Sequence, residues 1–182
     1  MKTHIECIPC IINQGIRVAK NLNLNQDQAE KAIREILACI SKENFDKPTP
    51  YLAKKAWEFN IHYAGKDPYS NMKKYYNQKM LDMETKFQEM IDSAENSFLT
   101  ALKLAITGNI IDFGAKHGFQ EEKLFEKIDE VEKKNLAIDE SQKLLEALKN
   151  AKTALYLGDN CGEIVMDELF IKYMRQVFPE LT

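Results

Sequence analysis

Thr153-Ala154-Leu155-Tyr156-Leu157-Gly158-Asp159-Asn160-Cys161-Gly162-Glu163 carries a β-type apolar run through a tight polar turn into the opening of a helix. Such a junction sets carboxylate and carboxamide oxygens beside the N–H-rich first turn of a helix, where hard cations and phosphate groups are favoured. The helix that follows places Met166, Leu169, Phe170, Tyr173, Met174 and Val177 on one arc. Glu163 and Asp167 fall in the middle of that arc, and Glu168, Lys172 and Arg175 make the solvent face. Two acids on a buried arc must be hydrogen-bonded, paired or neutralised, because an isolated buried carboxylate is expensive. Asn160 followed three residues later by Glu163 also spells a capping box, which leaves Asp159 as a carboxylate that the cap does not need. An internal hydrogen-bond network and a direct role at a ligand site are both open.

Upstream of this stretch the chain reads as helix. Ile8, Ile11, Ile12, Val18, Ala19 and Leu22 recur at helical spacing, and Pro9 is tolerable in a first turn that needs no N–H from it. Asn25 is a suitable N-cap for a second helix carrying Ala29, Ala32, Ile33, Ile36, Leu37 and Ile40 on one face. After the break at Pro48 and Pro50 a third helix is expected over about 51–63, closed by the loop Gly65-Lys66-Asp67-Pro68-Tyr69. Residues 70–107 are again helical, with a break near Ser93, and the charged stretch 121–150 holds one or two more helices.

The run Thr153–Leu157 is then the first strand in a helical chain, and a lone strand leaves its ladder groups unpaired. A strand–helix unit normally leads through a crossover to a parallel strand. Here the helix ends near Val177, Pro179 breaks it, and Leu181-Thr182 are the last residues. The expectation is a truncated protein, or a subunit completed by another chain. A homodimer paired through Thr153–Leu157 is one way to cover that edge.

Bulk properties narrow the field. A chain of 182 residues buries a sizeable core. The net charge of −3, with acids and bases interspersed, gives no sign of a nucleic-acid-binding surface. No apolar run approaches the roughly 20 residues that span a bilayer, and the N-terminus Met1-Lys2-Thr3-His4-Ile5-Glu6 lacks the design of a secretory signal. A cytoplasmic protein with no membrane partner is expected, so Cys7, Cys10, Cys39 and Cys161 read as thiols or metal ligands rather than disulfides.

Two further groups carry chemistry. Cys7 and Cys10 lie one helical turn apart, close enough to share a soft metal such as zinc, with His4 and Cys39 as candidates to complete the site, or to act as a dithiol, and buried inert thiols are the plainer reading. Asn109 and Asp112 share a face of the apolar segment between Gly108 and Gly114, where interior hydrogen bonding or capping of a short helix by Asn109 would satisfy them. Lys73 and Lys74, after Asp67-Pro68-Tyr69, suit a solvated face as well as a phosphate.

Four motifs in order, Cys7-Ile8-Pro9-Cys10, Asp67-Pro68-Tyr69, Gly108-Asn109-Ile110-Ile111-Asp112-Phe113-Gly114 and Gly158-Asp159-Asn160-Cys161-Gly162-Glu163 with Asp167, resemble the DUF89 or ARMT1-like family of metal-dependent damage-control phosphatases. The likeness is to its short prokaryotic branch with an N-terminal CxxC. It implies a mostly α chain: a helical region over 1–150, then, over 151–182, the first strand–helix unit of a Rossmann-like, metal-binding α/β domain. It implies hydrolysis of phosphate esters of small metabolites, such as sugar phosphates, with Mn²⁺, Co²⁺, Ni²⁺ or Mg²⁺. Asp159 and Asn160 would be the metal ligands, Glu163 would join them as a catalytic residue, and Asn109, Asp112 and Asp167 would line the pocket. Family members usually continue for on the order of a hundred residues, the size of a second domain half. By itself, the chain is therefore expected to bind metal weakly and to lack activity. The other function read from the sequence is a helical binding module that uses Cys7 and Cys10 for metal or redox work.

Overall fold

Apolar periodicity becomes helix wherever the computed structural model describes the chain, at residues 2–109, 126, 128, 130–158 and 161–182. The chain divides into two units, Met1–Asn71 and Met72–Thr182.

The first unit consists of three mutually packed helices: α1 (Cys7–Asn21), α2 (Gln26–Lys42) and α3 (Thr49–Ala64). Their apolar stripes meet in a core of Ile11, Ile36, Ile40, Leu52 and Ala56. Gly15 lets α1 approach closely, since a Cβ there would come within 2.6 Å of Ile36 Cδ1. Asn25 caps α2 as its side chain suggests, and Gln28 returns the bond to complete a capping box. Thr3 is buried and ties the N-terminal segment down: its amide reaches the carbonyls of Phe45 and Lys47, and its hydroxyl donates to Lys47 O at 2.7 Å. Gly65 closes α3 in the left-handed conformation at φ 67°, a position glycine occupies at no steric cost. In the loop that follows, the Tyr69 amide donates to Asp67 Oδ1 and the Tyr69 ring stacks on Trp57.

The second unit holds α5 (Glu84–Ser93), α6 (Ser97–Gly108), a 3₁₀ turn at Val131–Lys133, α7 (Ser141–Asn150) and α8 (Glu163–Val177). It also takes most of α4 (Ser70–Leu81). The break at Asp82–Met83, between α4 and α5, has no proline or glycine to announce it. α6 runs antiparallel to α8: Phe98 meets Phe170 and Tyr173, while Gly108 meets Glu163. Phe87, Ile91, Leu104, Ile128, Val131, Leu148, Met166 and Leu169 fill the core.

The expected strand at Thr153–Leu157 is not formed; among the described residues there is no strand. A strand exists only through its ladder, and this segment has little of one. Its exposed chain makes two backbone bonds to the terminal residue, Ala154 N to Thr182 O at 2.8 Å and Thr182 N to Lys152 O at 3.0 Å. Those bonds flank Thr153 in the pattern of a single parallel bridge. Leu155 and Leu157 are 87% and 80% exposed. No helix among the described residues is long and apolar enough to cross a membrane.

Candidate functional site

The first turn of α8 is assembled by groups from three other segments of the second unit. The N-cap of α8 is Gly162, at φ 78° and ψ −52°, and no side chain caps the helix. The capping box expected from Asn160 and Glu163 is therefore not what opens it: Glu163 is the first helical residue, not the third. Gly162 donates its amide instead to Asn77 Oδ1 of α4, at 2.6 Å. Only a residue without Cβ takes up this backbone shape readily, which is why glycine stands at the hinge between turn and helix.

Glu163 and Asp167, one turn apart, are both buried, as the helical wheel requires. Each is held by a neutral donor. Asn109, the C-cap of α6, donates its side-chain amide to Glu163 Oε1 at 3.0 Å. It stands at the C-terminal end of this helix, and the segment that follows lies outside the described residues. Tyr156 donates its phenol to Asp167 Oδ1 at 2.6 Å, a short bond of the charge-assisted kind. Burial is the main cause that pushes the Tyr156 phenol upward, followed by the hydrogen bond and charge of Asp167 and then the charge of Glu163. The phenol thus stays protonated and remains a donor.

Close backbone approach makes this geometry available. A Cβ on Gly108 would lie 3.2 Å from Glu163 Cα and 3.2 Å from Met166 Sδ, so the last turn of α6 can press against the first turn of α8. A Cβ on Gly158 would lie 3.1 Å from Ile164 Cδ1 and 3.8 Å from Asp167 Oδ2. The end of the 153–158 segment therefore passes directly over the buried acid.

Of the residues picked from the sequence, Asn109, Glu163 and Asp167 gather around the opening of α8. Asp159, Asn160 and Asp112 lie outside the described residues. Cys7 and Cys10 stand on the first turn of α1, in the first unit. Two residues escaped the sequence reading. Tyr156 read simply as an apolar strand residue, although its place two positions before Gly158 could have marked it. Asn77 had no local mark at all; only the tertiary fold brings it to Gly162.

Two carboxylates, Glu163 and Asp167, are buried together at the opening of α8; they are oxygen donors of the kind hard divalent cations take, and each accepts here from a neutral side chain. Among the described residues, no three of His, Cys, Asp and Glu gather closely enough to hold a metal.

At the level of class, this is a helical protein with buried carboxylates and amide-bearing side chains gathered at a glycine-hinged helix opening. More particularly, residues 3–181 match the damage-control phosphatase ARMT1-like domain, and the chain belongs to that family. It is 31% identical over 180 residues to a damage-control phosphatase of Pyrococcus horikoshii, covering 97% of this chain and 61% of that one. A damage-control phosphatase of Archaeoglobus fulgidus is 25% identical over 185 residues, covering all of this chain (100%) and 64% of its relative. The crystal structure of a DUF89 family protein from Pyrococcus horikoshii superposes with a TM-score of 0.77 at 30% identity, over 97% of this chain and 61% of that one. The chain thus spans less than two thirds of the length of these relatives.

Proposed function

We propose that this chain carries part of the active site of a metal-dependent phosphatase that hydrolyses phosphate esters of small metabolites such as sugar phosphates. Membership of the damage-control phosphatase family supports the reaction class. The observation that carries the site is the fixing of Glu163 by Asn109 at the opening of α8, beside the Gly162 hinge.

In this reading Asp159 and Asn160 would hold a divalent ion, Mn²⁺, Co²⁺, Ni²⁺ or Mg²⁺, through side-chain oxygens. That ion, when bound, supplies Lewis-acid stabilisation of phosphoryl charge and activation of water. The amides of the first turn of α8 take phosphate oxygens, as helix openings do. Glu163 accepts the proton of the attacking water, its carboxylate plane held by Asn109. Asp167, with Asp112, braces the pocket, and Tyr156 keeps Asp167 from turning away. Given a partner strand, the segment 153–157 would pair as the strand of a Rossmann-like strand–helix unit with α8, a reading supported by the parallel pattern of the bonds to Thr182. A cytoplasmic setting accords with small phosphorylated substrates. A homodimer paired along 153–157 would cover the exposed edge, and the mass in solution decides that point.

The test is release of inorganic phosphate from a panel of sugar phosphates with Mn²⁺ or Co²⁺. It is run on this chain and on a polypeptide that continues to the length of the matched relatives. Release that vanishes in Asp159→Ala supports the reading. Folded, metal-bound protein of the longer form that releases nothing across the panel sinks it.

A further inference from the structure

Cys7 and Cys10 are not absorbed by the phosphatase reading, and they are set in a defined place. Cys7 is the first residue of α1 and Cys10 lies one turn on, with Ile8 and Pro9 between them. Residues three apart on a helix lie about 5–6 Å apart between Cβ atoms, and a disulfide needs about 3.5–4.5 Å, so the bond closes with a small backbone shift in the terminal turn of α1. Pro9 costs the first turn no hydrogen bond and stiffens the backbone between the two sulfurs.

The two thiols differ in their surroundings. Cys10 is exposed, whereas Cys7 is half-buried and accepts a hydrogen bond from the Thr49 hydroxyl at 3.4 Å. Thr49 is the first residue of α3, so this contact links the openings of two helices. The chain before the pair is anchored through buried Thr3 to the Phe45 and Lys47 carbonyls, and the Cys7 amide bonds to His4 O at 2.9 Å. His4 itself is exposed, with its imidazole near Glu6. Residues 2–71 of the first unit are all described, and no three metal-ligating side chains gather there. Two sulfurs without a third ligand suit thiol exchange better than a tetrahedral metal.

We propose that Cys7 and Cys10 form a dithiol–disulfide exchange site whose co-substrate is a low-molecular-weight disulfide. Cys10, the more exposed of the two, gives its proton to solvent and its sulfur attacks one sulfur of the disulfide RSSR. The RS–SR bond breaks, a Cys10–S–S–R bond forms, and RS⁻ leaves to take up a proton. Cys7 loses its proton to solvent and attacks Cys10 Sγ, which closes the Cys7–Cys10 bond and expels the second RS⁻. Two protein thiols are oxidised and one disulfide is reduced to two thiols. Thr49 acts as a positioning residue, holding Cys7 Sγ by its hydroxyl until it resolves the mixed disulfide.

The test uses the whole chain in glutathione buffers of stepped oxidised-to-reduced ratio, with acid quench, alkylation and peptide mass spectrometry. Cys39 and Cys161 serve as internal references. Cys7 and Cys10 are expected to lose alkylation together, as one intrapeptide disulfide, at a ratio about tenfold lower than that which modifies the reference thiols. In Cys7→Ser a glutathione adduct should stay trapped on Cys10, and in Thr49→Val the adduct should outlast that of the parent. Circular dichroism confirms that each variant is folded. Alkylation of Cys7 and Cys10 that persists as long as at the reference thiols overturns the proposal. So does equal adduct formation on Cys7 in Cys10→Ser, or zinc that copurifies with the parent, protects both thiols and is lost in Cys7→Ser. Each readout is independent of phosphatase activity.

Discussion

The amide of Gly162 and the side-chain oxygen of Asn77 meet at 2.6 Å, although 85 positions separate them in the chain. This bond supplies the buried hinge of α8 with the acceptor that no capping side chain provides. Asn77→Ala leaves that donor without its acceptor and should cost about 1–3 kcal/mol, read as a lower midpoint in urea. Asn77→Asp keeps an acceptor oxygen and should recover most of the loss. Hydrogen exchange at the Gly162 amide should accelerate in the alanine variant alone. Equal protection in both variants would refute the role assigned to Asn77.

Gly108→Ala tests the approach of α6 to α8. The added methyl would sit 3.2 Å from Glu163 Cα, where backbone cannot yield cheaply. Overpacking of this kind costs about 1–3 kcal/mol. A thermal melt unchanged from the parent would show that the two helices can separate freely.

Tyr156→Phe removes the donor on Asp167. The tyrosine is partly open to water, so the loss should fall near the low end for a charged hydrogen bond, about 1 kcal/mol at neutral pH. The pH dependence has a definite sign. Because the folded phenol titrates above its ordinary value of 10.0, the native state holds this proton more tightly than the unfolded chain. Its contribution is complete below that value and fades as pH rises through the folded pKa. Stability measured from neutral pH to above 10 should therefore fall less steeply in Tyr156→Phe. A residual slope is expected, since burial also raises the phenols of Tyr63 and Tyr76.

Glu163→Gln preserves the shape of the side chain and an oxygen for Asn109 but deletes the charge. If the acid braces or shares a metal-bearing turn, affinity for Mn²⁺ in calorimetry should drop about 10–100-fold. The unfolding midpoint should change little. Unaltered metal affinity together with unaltered phosphate release by the longer polypeptide would remove Glu163 from the site.

Much of this arrangement is legible in the sequence, for reasons that differ by residue. Helical periodicity identified α1, α2 and α3, because amphipathic helices declare their buried faces locally. The same periodicity located Glu163 and Asp167 in the interior, since two acids among Met166, Leu169 and Phe170 have no other place to go. What bonds those acids was not legible. Asn109 and Asn77 are 54 and 85 positions from their partners, and amides serve many ends in a sequence. The capping box failed because Asn160-x-x-Glu163 fits a cap only if the helix starts at once, whereas Gly162 delays it. The strand at Thr153–Leu157 was an inference from side-chain type, but a ladder is a property of two segments.

The two bonds that bracket Thr153 do more than tether the terminal residue. Side chains alternate along an extended segment, so fixing one pair settles which face every later residue presents. Tyr156 is then committed to Asp167, and Leu155 and Leu157 are committed to the opposite side. A slip of one position would turn Tyr156 outward and push a leucine against a buried carboxylate. Thr153 and Thr182 together thus act as an alignment pin, so that any polypeptide laid along this edge is registered to the acid of α8 from its first residue.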